Sequence, residues 1–154
     1  MSTEPIPSRC CRYKSLLVWV CALAVVLGGG AWAWANYLRT YHLAVVQEGV
    51  LVRDGNRGMR EFETALRKTG TRTVVSLIDD QEFADSTKPQ FQLEKTYCGE
   101  HGIKFVRVPV KLGGWPTSDD VQKFLSIVED KQNQPVLVHC AQGVRRTGMM
   151  VAGF

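Results

Sequence analysis

The stretch "PVLVHCAQGVRRTG", residues 135–148, decides how the chain is read. Four apolar residues, Pro135 to Val138, run into His139 and Cys140; five residues follow, and then come Arg146, Thr147 and Gly148. The apolar run has the composition of a buried strand. Where such a strand gives way to a helix, the connecting loop gathers free backbone N–H groups, and these, with the helix dipole, favour an anion. A cysteine at the mouth of that loop has its thiolate stabilised by the same field, below the ordinary value of about 8.5. Arg146 can turn back and offer a planar fork to two oxygens of a phosphate-like dianion. Gly143 permits the tight turn. The competing reading of Cys140 is a small buried core residue; the arginine and the glycines speak against it.

Working outward, the 154 residues suffice for one domain with one core. The 45% apolar and 22% charged content fits a folded domain carrying an extra apolar segment. The net charge of +4 is mild, and no basic stripe with interleaved aromatics appears, so a nucleic-acid partner is not expected. The five cysteines (10, 11, 21, 98 and 140) are irregularly spaced with no C-x2-C pair, which speaks against a metal site or a disulfide framework. "VVQEGVLVRDG" reads as a strand or hairpin, and "GMREFETALRKTG" as a helix with Met59, Phe62, Ala65 and Leu66 on one side and Gly70 as its stop. "TRTVVSLID" and "IKFVRVPV" read as strands. Between them "KPQFQLEKTYCGEHG" reads as a helix with Phe91, Lys95 and Cys98 along one side. "GGWPTSDDVQKFLSIVEDK" opens as a loop and becomes a helix capped by Ser118, with Asp119 and Asp120 in its first turn and Val121, Phe124, Leu125 and Val128 inward. The strand–helix alternation predicts an α/β domain, a mostly parallel sheet flanked by helices over residues 40–154. Ligands of such sheets sit at the carboxyl ends of the strands, where Cys140 stands.

The N-terminus is a separate object. No charged residue stands between Lys14 and Arg39, and the apolar run Leu16–Ala35 matches the roughly 20 residues a membrane-crossing helix needs. Trp32, Trp34 and Tyr37 fall where an interfacial aromatic belt would lie. Residues 16–37 are therefore read as a single transmembrane anchor, with a signal peptide cleaved after "AWA" as the alternative. Arg9, Arg12 and Lys14 in the basic segment 1–15 precede the run and only Arg39 closely follows. This bias puts the N-terminus in the cytoplasm and the domain outside it. Cys10 and Cys11 are candidates for acylation.

"HCAQGVRRTG" resembles the signature of the cysteine-dependent protein phosphatases, and with "VRVPV" and "PTSDDVQKFLSIVED" it is most similar to their dual-specificity branch. A chance match to the fixed positions is on the order of one in a million per chain. The resemblance implies a phosphate-binding loop between the last strand and its helix. Cys140 is then the nucleophile that forms a phosphocysteine. Ala141, Gln142, Gly143, Val144, Arg145 and Arg146 bind phosphate, and Arg146 also stabilises the transition state. His139 orients the loop, Thr147 donates its hydroxyl to the sulfur, and no cofactor is required. The family's general acid, an aspartate in tyrosine-specific Trp-Pro-Asp loops, is replaced by Thr117 in "WPT". Asp119 is the candidate in its place, ahead of Asp120, Asp79 and Asp80, although a charge at a helix start accounts equally for it. Members of the family continue past "RTG" with further helices. The resemblance therefore also implies a domain incomplete at its C-terminus, with apolar surface exposed.

Taken together, these features predict a membrane-anchored phosphatase acting on phosphotyrosine, with phosphoserine, phosphothreonine or a small phosphomonoester as further substrates. The alternatives are a non-catalytic phosphate-binding module or inactive relic, and a thiol redox protein pairing Cys140 with Cys98. The loop "AQGVR" lacks the lysines of lipid-phosphatase relatives, which speaks against a phosphoinositide.

Overall fold

The computed structural model describes residues 9–39, 42–55 and 58–154. Residues 1–8 of the basic N-terminal segment, and the side chains of Cys10, Cys11 and Arg39, lie outside what is described. The chain divides into two compact units, Met1–Arg39 and Thr40–Phe154.

The first unit is one helix, α1 (Arg9–Arg39). Within it Leu16–Ala35 is long and apolar enough to cross a membrane. Its 20 residues rise about 30 Å, the thickness of a hydrocarbon layer. The large apolar side chains of this stretch are exposed all round, where a soluble core helix would bury them. Near its end the rings of Trp34 and Tyr37 lie 6.1 Å apart.

The second unit is a five-stranded sheet in the order β1-β2-β5-β3-β4. A hairpin joins β1 (Ala44–Gln47) to β2 (Leu51–Gly55), and Gly49 turns it with a φ of 69°. From there every pairing is parallel: β2 with β5 (Val136–Cys140), β5 with β3 (Thr73–Ser76), and β3 with β4 (Lys104–Arg107). The connections carry α2 (Met59–Thr69), α3 (Asp80–Ala84), α4 (Gln90–Glu100), α5 (Ser118–Glu129) and, after β5, α6 (Arg145–Ala152).

Helices on both faces explain why β3 and β5 are buried at every position. On one face Val75, Val136, Val138 and Cys140 pack with Phe124 and Val128 of α5, Met150 of α6 and Phe91 at the start of α4. On the other, Val74 and Leu137 pack with Phe62, Ala65 and Leu66 of α2 and Cys98 of α4. Alternation along β5 therefore sends Cys140 to the first face and His139 to the second. The central strand receives neighbours from both halves of the chain, so its carboxyl end lies beside the ends of β2 and β3.

Two sequence expectations need correction, and one short helix was not foreseen. Thr117, not Ser118, caps α5: it forms a capping box in which its hydroxyl accepts the N–H of Asp120 and the Asp120 carboxylate accepts the N–H of Thr117. The buried side of α4 runs through Phe91, Glu94 and Cys98, so Glu94 faces inward rather than Lys95. The turn after β3 contains a short helix, α3, started by the Asp79 side chain accepting from the N–H of Glu82.

Candidate active site

Five residues after the end of β5 the chain must reverse and start a helix, and it does so around the sulfur. Gly143 stands at φ 69°, the left-handed conformation a residue with a side chain rarely adopts. The turn sends the Gly143 N–H back to Cys140 Sγ at 3.2 Å. The loop also lies directly on the end of β2. A Cβ on Gly143 would fall 2.5 Å from the Asp54 carbonyl oxygen, and one on Gly55 would fall 2.4 Å from the Gln142 carbonyl carbon. Two glycines separated by most of the domain's length thus let two backbones touch. Arg53 fastens the contact, its Nη2 donating to the Gly143 carbonyl at 2.6 Å.

Burial of Cys140 would raise its thiol. The Thr147 hydroxyl and N–H, with the N–H groups of Gln142 and Gly143, outweigh that and hold it below the ordinary cysteine range. Cys98 is the contrast. Burial, with the Glu94 carboxyl beside it, pushes its thiol up to about 12. The two cysteines are free, and they belong to core clusters on opposite faces of the sheet, which removes the Cys140–Cys98 redox pairing.

Arg146 lies in the first turn of α6, and its guanidinium is almost wholly buried. Glu82 of α3 receives it on both oxygens, from Nη1 at 2.5 Å and from Nη2 at 3.3 Å. Nη1 also donates to the carbonyls of Leu77 and Val110, at 3.3 and 3.2 Å. That leaves the Nε–H and one Nη2–H, the adjacent edge of the plane, for a second bidentate partner. Arg145, next door, donates to the Gly113 carbonyl at 2.6 Å.

The resulting pocket holds about 310 Å³ and is lined by Glu82, Leu112, Gly113, Cys140, Ala141, Gln142, Arg145 and Arg146. Val144 is the N-cap of α6 and is exposed, on the loop but outside that lining. Thr147 is fully buried behind the sulfur. His139 points to the opposite face, where its ring meets the edge of Phe62 at 5.7 Å.

The carboxylates around this pocket are mostly occupied. Asp79 caps α3 and also accepts the Leu112 N–H at 2.9 Å. Burial pushes its carboxyl up, but those N–H groups and the charge of Arg146 outweigh it and hold Asp79 below the usual carboxylate range. Asp80 pairs with Arg107 at 2.8 Å. Asp120 is closed into the capping box. Asp119 is exposed in the first turn of α5, its side chain makes no hydrogen bond or ion pair among the described residues, and it does not line the pocket. Sequence reading missed Glu82 and Arg53. The "DDQE" at residues 79–82 carries a signal for the first, since Asp79 followed three residues later by Glu82 is a helix-start pattern. Among the described residues no group of histidine, cysteine and carboxylate side chains could hold a metal ion.

A parallel sheet whose central strand ends on a cysteine, with a loop of backbone N–H groups closed by an arginine, defines the cysteine-dependent phosphatase class. The chain belongs to the family described as DSP-PTPase phosphatase fused to NAD+ kinase, which matches residues 43–154. Among curated proteins, the probable chloroplastic NAD kinase 2 of rice is 38% identical over 83 residues, 54% of this chain and 8% of that protein. The dual specificity protein phosphatase OPG106 of vaccinia virus is 56% identical over 36 residues, 23% of this chain and 20% of that protein. The chain thus spans only a small part of either. Among solved structures, the core catalytic domain of the PP-IP phosphatase SIW14 from S. cerevisiae has a TM-score of 0.59 at 24% identity, covering 71% of this chain and 62% of that one. TpbA of P. aeruginosa has a TM-score of 0.52 at 20% identity, covering 72% and 60%. These two share the fold.

The contact between Gly55 and the loop gives an expected outcome. Gly55→Ala lies in a strand and outside the loop, yet it should impair turnover as Gly143→Ala does. A loop pushed about 1 Å out of place costs roughly 10²-fold in rate. Aryl-phosphate turnover by both variants checks this, and an unimpaired Gly55→Ala enzyme would separate the strand from the loop.

Proposed function

We propose that this domain hydrolyses phosphoric monoesters through a phosphocysteine, with phosphotyrosine as its favoured substrate and phosphoserine or phosphothreonine as poorer ones. The observation that carries this reading is the Cys140 sulfur, its thiol held below the ordinary cysteine range, in the same pocket as a guanidinium held in place by Glu82. The thiolate attacks phosphorus, the P–O bond to the leaving group breaks, and the phosphoryl group rests on sulfur. Water then attacks phosphorus, which releases inorganic phosphate and returns the thiolate. Backbone N–H groups from Ala141 to Arg146 and the free edge of the Arg146 guanidinium bind the phosphoryl oxygens. The Thr147 hydroxyl supports the departing sulfur in the second step, and His139 holds the strand end beneath it.

Asp119 is the proposed donor of the leaving-group proton. It is the carboxylate left uncommitted near the segment 111–117, whose Leu112 and Gly113 line the pocket. An aryl ester needs that proton least, since phenolate leaves readily. This is why tyrosine esters head the substrate list.

A phosphorylated small molecule is the second reading. Two observations favour it: the fold shared with a neighbour described as a PP-IP phosphatase, and a pocket lined by no aromatic ring among the described residues. Helix α1 is proposed as a single-pass anchor, with the phosphatase domain on the extracytoplasmic side.

Four outcomes test these proposals. Iodoacetate should abolish aryl-phosphate turnover rapidly at pH 6 and be slowed by phosphate or vanadate; inactivation that follows an ordinary thiol near 8.5 would contradict an activated Cys140. Cys140→Ser should be inactive on phosphotyrosine peptides and on small phosphomonoesters alike, and the wild-type ratio of kcat/KM between those two sets decides the substrate class. Asp119→Asn should cost roughly 10²–10⁴-fold on phenyl phosphate and far less on nitrophenyl phosphate, because the poorer leaving group needs the proton. An equal small loss on both would mark Asp119 as a helix-terminal charge. For α1, full-length protein should stay in the membrane fraction through carbonate extraction. A soluble product beginning at Asn36 would instead identify a cleaved signal.

A further inference from the structure

Behind the strand that carries Cys140, on the face away from the pocket, lies a second polar group that the chemistry above does not use. Glu94 of α4 is fully buried, and its Oε2 lies 3.4 Å from Nε2 of His139, itself buried. Neither Glu94 oxygen and neither His139 ring nitrogen has a hydrogen-bond partner, so four buried polar atoms face each other with their bonds unmade. The surroundings are apolar: the edge of Phe62 on one side, and Val74, Leu137 and Cys98 in the same cluster. A carboxyl group buried without a job is costly. A helix whose other inward residues are Phe91 and Cys98 would accept a leucine at this place.

We propose that Glu94 is a positioning residue for the nucleophile, a neutral carboxylic acid whose O–H is given to His139 Nε2 and so fixes the ring's remaining proton on Nδ1. The proposal rests on the reading of Cys140 as the nucleophile and names what holds the strand end beneath it.

The alternative is an ion pair, carboxylate against imidazolium, and the two states differ in what burial costs. Charging both groups in an apolar pocket costs more than their attraction returns unless further hydrogen bonds satisfy them, and Glu94 has none. Burial holds the Glu94 carboxyl well above the usual carboxylate range. Burial likewise drives His139 down to about 4, with the positive charge of Arg146 adding to it and the Cys140 backbone offsetting part. Between those ranges both partners are neutral. Asp54 and Cys98, the other titratable groups on this side, are not among the groups that move His139. Asp54, beside His139 in the register on β2, is itself raised to about 6 by burial, its bond from the Gly55 N–H offsetting part of that rise. Cys98 on α4 remains a thiol. On β3 the neighbour in register is Ser76, which is neutral. With the acid proton on Glu94, Nε2 must accept. The imidazole then carries its single proton at Nδ1. Loss of that arrangement lets the ring take the other tautomer or rotate, and the strand end that sets the Cys140 sulfur among its N–H donors loses a support.

Two measurements on the full-length protein in detergent test this, and neither needs turnover. The first is the ¹⁵N spectrum of His139, assigned with His139→Gln. A neutral ring with Nδ1 protonated and Nε2 accepting is expected between pH 6 and 8; an imidazolium, or a proton on Nε2, overturns the proposal. The second is the rate of carboxymethylation of Cys140 at pH 6, read on its peptide by mass spectrometry, in Glu94→Gln and Glu94→Leu. The glutamine amide can donate to Nε2 as the acid does, so Glu94→Gln should react like wild type. Glu94→Leu should react roughly 3- to 10-fold more slowly, the worth of one buried hydrogen bond. If Glu94→Leu reacts like wild type, Glu94 only fills the core. If Glu94→Gln is as slow as Glu94→Leu, the pair is ionic and the neutral donor is wrong. A separate aryl-phosphate assay of the wild type reports on the nucleophile itself, so failure of that reading leaves a different trace.

Discussion

A guanidinium cannot be buried alone. Arg146 is nearly wholly out of water, and the architecture at the carboxyl ends of the strands can be derived from the need to meet that charge. Glu82 supplies the opposite charge, and the carbonyls of Leu77 and Val110 supply further acceptors. These come from three places in the chain: the helix after β3, the end of β3 itself, and the segment beyond β4. The order in which β5 lies beside β3, and β3 beside β4, brings them to one point. The charge that lines the pocket is therefore also a fastening of the fold. A fastening that leaves one edge of the guanidinium free presents that edge at fixed orientation, and none of its order must be gained on binding.

The opposite side of the loop is fixed by shape rather than charge. Backbone against backbone at Gly55 and Gly143 leaves no room for a Cβ on either, so the loop cannot relax toward β2. Arg53 and Arg145 then hold it by single bonds to carbonyls at its middle and across the pocket, Gly143 and Gly113. The three arginines thus fall into two kinds: Arg146 is tied to a carboxylate and keeps one edge toward the pocket, and Arg53 and Arg145 each donate to a peptide carbonyl.

This difference marks how far the sequence could be read. The strands and helices were legible because burial on both faces leaves strong patterns, as in the apolar run ending at Cys140 and the spacing of Phe62, Ala65 and Leu66. Cys140 and Arg146 were legible because their spacing places them at the two ends of one turn. Glu82 was not, since a short helix of five residues has too few positions to show a period, and its partner lies 64 residues away. Glu94 was hidden by a stronger bias. At helical spacing from Phe91 and Cys98 both Glu94 and Lys95 are possible inward positions, and composition argues against burying either. The cap of α5 was misplaced by one residue because Thr117 and Ser118 are both good caps; Asp120, three residues beyond Thr117, completes the box and decides between them.

The same bookkeeping of partners bears on the acid. A proton donor needs a carboxyl group that is neither ionised by strong hydrogen bonds nor already spent on a cation. Asp79 is held toward its charged form by two N–H groups and the nearby guanidinium, and Asp80 and Glu82 are paired with arginines. Asp120 is closed into its cap. Every one of these carboxylates holds a loop or a helix start in place around the pocket. A site that uses its near carboxylates as struts must take its proton from farther out, or favour esters whose oxygen leaves without one. The two routes differ in what they ask of the ester: a donor from farther out serves any leaving oxygen, whereas a site without one is confined to oxygens, such as a phenolate, that leave unprotonated.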